Sequence, residues 1–356
     1  MMFSTKRQAF RLTTLVALVA VTGLLGACAG SSAPPRESAE PTSSISPEWA
    51  AVVDAAEQEG QVVVYNVLDE AQMARYVEAF NAVYPGIEVV AERGGAELYA
   101  RFDQEIANKT SGADVIIRTE SPWFEQNAAN LLEIDGPNTA KYPSDSVWAD
   151  GKAFATAYVP QGTIVWNTNI FPDGFKTWTD IPKKAKPGQY GVRDSGGKIQ
   201  GATVQYYQFL EDKFGPELLD DLGALDPKIY PGGGPMVQAI GAGEIGVADN
   251  LTPSFALGLK EQGAPIDYVD PEGTGFANVF IMAATAYSAH PNASRLFVDF
   301  VTTFEGQEAF TGGGFGASAI EGAGTLDLDK FTLYDPTLLT PEVIAEWNAK
   351  FAQLFY

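Results

Sequence analysis

Short β-branched runs alternate with stretches of helical apolar spacing through most of this chain, the order expected of strands joined by crossover helices. Val62-Val63-Val64-Tyr65-Asn66 reads as a buried strand, and Asp69 to Val83 as a helix with Met73, Tyr76, Val77 and Phe80 on one face, stopped by Pro85-Gly86. Ile87 to Ala91 is the next strand, Gly94-Gly95 opens a helix to about Asn108, and Ala113 to Ile117 is a third strand. Ser121-Pro122 has the form of a helix start. A second series follows Thr163-Ile164-Val165-Trp166-Asn167, with strands expected at 190–193, 228–230, 245–248 and 266–269. Phe276 to Ala283 is an apolar strand able to return the chain to the first series, and Pro291 to Thr303 an amphipathic helix. No fixed-period repeat is present, which argues against a solenoid or propeller.

Ahead of this pattern, Lys6, Arg7 and Arg11 precede an apolar run from Leu12 to Gly26. The run is shorter than the ~20 residues needed to span a bilayer and has the layout of a secretion signal. It ends in Leu25-Gly26-Ala27-Cys28, similar to the bacterial lipobox, in which the cysteine takes a diacylglycerol and becomes the new N-terminus. Cys28 is the only cysteine, so no disulfide can form within one chain. Residues 1–28 are therefore expected to be a lipoprotein signal peptide with its lipidation site at Cys28, and two or more acyl chains anchor stably. Residues 29–46, rich in Ser, Pro and Ala, read as a flexible stalk, and the fold starts near Pro47.

About 310 residues remain, enough for two domains of ordinary size. The formal net charge of −22 falls to about −25 once the three leader cations are removed. Nucleic acid and anionic membrane surfaces are thus poor partners, because phosphate binding needs clustered Lys and Arg. Acidity of this kind serves solubility outside the cell.

Several segments, in order, resemble the class of periplasmic binding proteins that includes the bacterial ferric-iron receptors. They are Val63-Val64-Tyr65-Asn66, Phe80-Asn81-Ala82-Val83-Tyr84-Pro85-Gly86-Ile87, Ala113-Asp114-Val115, Val165-Trp166-Asn167-Thr168, Thr177-Trp178-Thr179-Asp180, Gly243-Glu244-Ile245 and His290-Pro291-Asn292-Ala293. The resemblance runs on through Phe297-Val298-Asp299-Phe300 to Glu305-Gly306-Gln307. It implies an α/β, two-lobed type II periplasmic-binding-protein fold with parallel-rich sheets and crossing hinge strands. Residues 47–162 and 275–356 would form lobe 1, and 163–274 lobe 2. It also implies a solute-binding lipoprotein of an ABC importer, a monomer exported to the outer face of the cytoplasmic membrane or the periplasm. Such a protein closes on a small ligand by hinge bending and hands it to permease subunits.

In such a fold the strand C-terminal ends and helix N-termini face the crevice. That rule selects Asn66 and Asp69, then Gly95 and Ala96, then Arg118, Thr119 and Glu120. From the second series it selects Arg193, Ser195 and Gly196, then Gly233, then Asn250, Thr252 and Ser254. The glycines serve either tight turns or close ligand approach. Arg118 and Arg193 each directly follow an apolar strand, and two guanidinium forks facing one space suit an anion, a carboxylate or phospho-compound. The alternative for each is an ion pair with its neighbour, Glu120 or Asp194.

The resemblance stops short of the ferric site. Where those receptors carry adjacent tyrosines this chain reads Pro253-Ser254, and their first-loop histidine is replaced by Asp69. Their glutamate aligns nearest Thr119 and their anion-binding arginine near Gly162. Tyr206-Tyr207 are adjacent but lie in an amphipathic segment, 199–213, where aromatics pack. No metal and no cofactor is therefore expected, and iron or an iron chelate stands as the alternative ligand. The sole histidine, His290, sits in a His-Pro-Asn helix start expected to be exposed, too little for a triad or zinc site. Gly312-Gly313-Gly314-Phe315-Gly316 lacks the Lys-Ser/Thr of a phosphate-binding loop. The chain is expected not to be an enzyme, with a carboxylate-dependent glycosidase as the distant alternative.

Overall fold

The computed structural model describes residues 46–68, 70–194, 198–199, 201–271, 275–324 and 326–356. The expected signal peptide, Cys28 and the stalk to residue 45 lie outside the described residues, as do Asp69, Ser195 and Gly196.

Ser46 caps α1 (Pro47–Glu59), accepting from Trp49 N at 3.2 Å, and Gly60 ends that helix in the left-handed conformation at φ 68°. The chain then alternates as its spacing implies: β1 (Gln61–Asn66), α2 (Glu70–Val83), β2 (Glu88–Arg93), α3 (Ala96–Asn108), β3 (Val115–Arg118) and α4 (Ser121–Gln126). β4 (Val147–Trp148) and β5 (Ala153–Pro160) follow. Every residue of β5 is buried, yet three alanines weaken its strand signal in the sequence.

The second series comprises β6 (Thr163–Asn167), α5 (Ile181–Lys184), β7 (Tyr190–Arg193), α6 (Ala202–Phe214), α7 (Pro216–Gly223) and β8 (Lys228–Tyr230). It continues through α8 (Gly233–Ala242), β9 (Val247–Leu251), α9 (Pro253–Glu261) and β10 (Ile266–Val269). β11 (Gly275–Ala284) returns to the first sheet, followed by α10 (Pro291–Val301), α11 (Phe304–Thr311), β12 (Phe331–Leu333) and α12 (Pro341–Phe355).

Two sheets result, one in the order β2-β1-β3-β11-β5-β4 with β12 beside β11, the other in the order β10-β6-β9-β7-β8. Both are mixed. The βα units supply parallel pairs, β1 with β2 and β3 and β7 with β8 and β9, while β5 and β11, β11 and β3, β6 and β9, and β10 and β6 pair antiparallel. Packing locks each lobe. Tyr76 of α2 stacks on Phe310 with ring centroids 4.1 Å apart, meets Phe297 at 5.0 Å, and donates its hydroxyl to Phe297 O at 2.6 Å.

Only Gln161 and Gly162 separate β5 in one sheet from β6 in the other, and 270–274 separate β10 from β11. The two crossings lie side by side, since Gln161 N donates to Phe276 O at 2.8 Å and Thr163 Oγ1 donates to Asp270 Oδ1. Burial pushes the Asp270 carboxyl up to about 6. Gly162 admits no side chain: a Cβ there would stand 2.9 Å from the Tyr206 ring and 3.0 Å from Trp178, whose indole N–H donates to Gly162 O.

Residues beyond β12 pack on the second core. β12 pairs with β11, but α12 docks on the second core, its Phe351 and Phe355 rings 5.4 and 5.6 Å from Tyr207. An amphipathic helix after a long connection carries no sequence signal for which apolar surface it will cover. β9 also starts two residues later than expected and includes Asp249 and Asn250, polar residues that composition assigns to a loop but that are buried here.

Candidate functional site

The two arginines singled out by their place at strand ends have different surroundings. Arg118 donates to Asp103 Oδ1 and to Glu120 Oε2, each at 3.1 Å, and its guanidinium lies 4.3 and 4.4 Å from the ring centres of Tyr99 and Trp123. Two carboxylates and two aromatic faces already satisfy it. Glu120 is the N-cap of α4, but its carboxylate turns to Arg118 and leaves the cap without a side-chain bond. Arg118, Thr119 and Glu120 do not line the cavity between the lobes.

Arg193 ends β7 and does line that cavity. Among the described residues it makes no ion pair. Its NH2 donates to Thr203 Oγ1 at 3.1 Å and to Asn250 Oδ1 at 3.3 Å, and burial pushes the guanidinium below its ordinary range. Asp194, the expected partner, instead accepts from Lys198 N at 2.9 Å and from the Tyr356 hydroxyl. Asn250 Oδ1 also accepts from Gln161 Nε2 at 3.2 Å, and Asn250 adopts a left-handed φ of 52°. Asn250 Nδ2 and the Tyr207 hydroxyl are both buried, and the two side chains interact. A charged donor and buried polar side chains gather beside a left-handed asparagine, a grouping more common at functional sites than in cores.

The cavity measures about 320 Å³ and has walls from both lobes. The second lobe contributes Arg193 together with the first turns of α6, at Ala202 and Thr203, and of α9, at Thr252 and Ser254. Neither helix carries a side-chain cap bond, and residues of both first turns line the cavity, so the positive dipole ends lie beside it. Opposite stands Arg93, at the end of β2, whose Nε donates to Leu68 O at 2.6 Å. Arg93 obeys the same strand-end rule that selected Arg118 and lies one residue before the glycine pair. Gln161 and Asn278 have no such signal, since Gln161 sits in a crossing and Asn278 inside β11.

The remaining expected residues occupy other places. Asn66 is buried at the end of β1 and braces the turn behind the cavity, its Oδ1 accepting from Leu68 N at 3.1 Å and its Nδ2 donating to Glu92 O at 3.2 Å. Gly95 and Ala96 begin α3, where Glu97 folds back to accept from Gly95 N at 2.9 Å, which pulls its carboxyl below the ordinary range. That helix start is already occupied by a carboxylate. Gly233 opens α8, and a Cβ there would stand 2.6 Å from the Phe255 ring, so the glycine serves packing of a residue that itself lines the cavity.

Tyr206 and Tyr207 are fully buried on α6. The Tyr206 and Tyr190 hydroxyls donate to Asp249 at 2.8 and 2.7 Å, and burial holds the Asp249 carboxyl up at about 6. Among the described residues, no three His, Cys, Asp or Glu side chains gather to hold a metal ion. His290 is half-buried rather than exposed. Its Nδ1 lies 2.8 Å from Asp114 Oδ2, and the same carboxylate accepts from Val63 N and Ser288 Oγ, which ties β1 to the start of α10.

Among the described residues, no helix is long and apolar enough to cross a membrane. No curated protein matches the sequence significantly. The profile of the bacterial extracellular solute-binding protein family matches residues 66–308. The fold is shared with the substrate-binding protein of an ABC transporter from Agrobacterium tumefaciens, at a TM-score of 0.69 and 16% identity over 84% of this chain and 96% of that one. It is shared also with iron-bound HitA from Pseudomonas aeruginosa, at 0.57 and 20% over 83% and 97%. A third likeness is to AfuA from Actinobacillus pleuropneumoniae with fructose-6-phosphate bound, at 0.57 and 19% over 83% and 98%. The chain belongs to the bacterial extracellular solute-binding protein family and has the type II fold of ABC-transporter substrate-binding proteins.

Proposed function

We propose that this protein captures a compact anion, a carboxylate or phospho-compound, in the cavity between its lobes and delivers it to an ABC permease. The observation that carries this reading is Arg193, a half-buried guanidinium at the cavity wall with no carboxylate partner among the described residues. A half-buried guanidinium without a carboxylate gains charge-assisted hydrogen bonds from a bound anion. The uncapped starts of α6 and α9 add positive potential on the same wall, and Arg93 faces them from the first lobe. A ligand bonded from both walls binds the closed form better than the open one and so shifts that equilibrium, with no catalysis involved. The moving bodies in this reading are 47–162 with 275–333, and 163–274 with 334–356.

HitA holds iron and AfuA a sugar phosphate, so the shared fold leaves the ligand open and the side chains must choose. In this chain the adjacent tyrosines face the packed interior of the second lobe, and the cavity presents guanidinium, hydroxyl and amide groups instead. The same reading makes the protein an exported monomer, lipid-anchored through Cys28, with no nucleic-acid partner. Native mass spectrometry of the purified protein, followed by thermal-shift assays with phosphates, phosphonates and mono- and dicarboxylates, tests it. Stabilisation by cations or neutral sugars alone would refute the anion.

A further inference from the structure

The C-terminal segment, 334–356, lies beyond the stretch matched by the family profile, yet it grips the element that carries the anion-facing wall. Asn348 of α12 reaches across to Ile199: its Oδ1 accepts from Ile199 N at 2.8 Å and its Nδ2 donates to Ile199 O at 2.9 Å. One side-chain amide thus satisfies both backbone groups of a residue that is almost fully buried, as a neighbouring strand would. The relation is returned from the other side. Gln205 of α6 accepts from Asp335 N at 2.8 Å and donates to Asp335 O. Tyr207 is wedged against Phe351 and Phe355, and the Tyr356 hydroxyl donates to Asp194, the residue after Arg193.

These contacts bracket α6, whose first turn bears Ala202 and Thr203 on the cavity wall, with Thr203 accepting from Arg193. Because 334–356 follows directly from β12, which is paired into the first sheet, the same segment links the second-lobe wall to the first lobe.

We propose that α12 is a positioning element for the ligand-facing wall, and that Asn348 is its positioning residue, fixing the start of α6 and through Thr203 the direction of the Arg193 guanidinium. The functional meaning rests on Arg193 as the anion-binding residue, but the positioning itself is testable without ligand. The experiment is nuclear magnetic resonance of the ligand-free full fold, following amide exchange at Ile199 and Val204 and the Arg193 Nε–H signal.

In Asn348→Ala, exchange at Ile199 and Val204 should rise by about tenfold or more, and the Arg193 Nε–H signal should shift or broaden, while β1 amides keep their rates. Asn348→Asp retains the acceptor for Ile199 N and should restore most of that amide's protection, which keeps the test usable if the alanine variant does not fold. A core truncation in the same lobe, Leu219→Ala, should lower the thermal midpoint without this local signature. Faster exchange at Ile199 with an unmoved Arg193 signal would overturn the proposal, and so would a uniform rise that includes β1. Loss of the anion hypothesis in ligand screening would leave these exchange results standing.

Discussion

Arg193 and Asn250 meet through a single hydrogen bond of 3.3 Å, from a guanidinium without a counter-ion among the described residues to an amide oxygen held at a left-handed backbone position. The amide oxygen is a weak surrogate for a negative charge. Asn250→Asp would put a carboxylate in its place, and Asp tolerates the left-handed conformation as Asn does. The variant should melt about 3 °C higher than the parent when both are ligand-free, because a half-buried guanidinium gains a charged partner. It should also bind the anion about 30-fold or more weakly, since the ligand's role is taken. Calorimetric melting and titration of both proteins check the two halves.

Arg93, Arg118 and Arg193 should separate by phenotype. Arg93→Ala and Arg193→Ala remove cavity donors and should weaken binding by about 30-fold, with little loss of fold stability. Arg118→Ala strands two carboxylates and empties a slot between Tyr99 and Trp123, so it should lower stability by about 1–3 kcal/mol and leave affinity close to that of the parent. Urea denaturation beside isothermal titration distinguishes them. A large affinity loss in Arg118→Ala alone would return that residue to the ligand site.

Strand ends led to Arg193, Thr252 and Ser254, which follow the apolar runs of β7 and β9 and line the cavity, and to Asn250, which lies behind them as the acceptor of Arg193. The guide could not separate Arg118 from Arg93. Whether a strand-end arginine faces the cavity depends on Asp103 standing on a neighbouring helix, 15 residues away, and no local pattern records that contact. Asp249 was hidden for a related reason: a buried carboxylate held by Tyr190 and Tyr206 reads as a loop residue until its partners are known. The docking of α12 was equally illegible, since helical periodicity gives a buried face but no address.

Stability should carry a pH signature from Asp249. Its folded pKa, about 6, exceeds the ordinary 3.8, so folding favours the protonated form. That contribution is fully present below about pH 4 and is lost as pH rises through 6, about 3 kcal/mol over the window. Asp249→Asn should lack this dependence. Relative to the parent, the variant should gain stability between pH 4 and pH 7, read by urea denaturation at intervals across that range. A constant difference between the two proteins would show that Asp249 ionises normally in the fold.

Anchoring should depend on Cys28. Cys28→Ser should turn a membrane-associated protein into a soluble or unprocessed one, as judged by fractionation and the mass of the N-terminal peptide. A fully processed Ser variant that still sediments with membranes would mean another anchor.

The Gln161 amide reaches Asn250 from the two-residue crossing between the sheets, so the residue that receives Arg193 is also tethered to the pivot. In the proposed reading, recognition and leverage therefore meet at one atom, Asn250 Oδ1. An evolving lineage that changed this position to suit a new cargo would alter the stiffness of its own joint in the same step, and successful respecification would require a compensating change at residue 161.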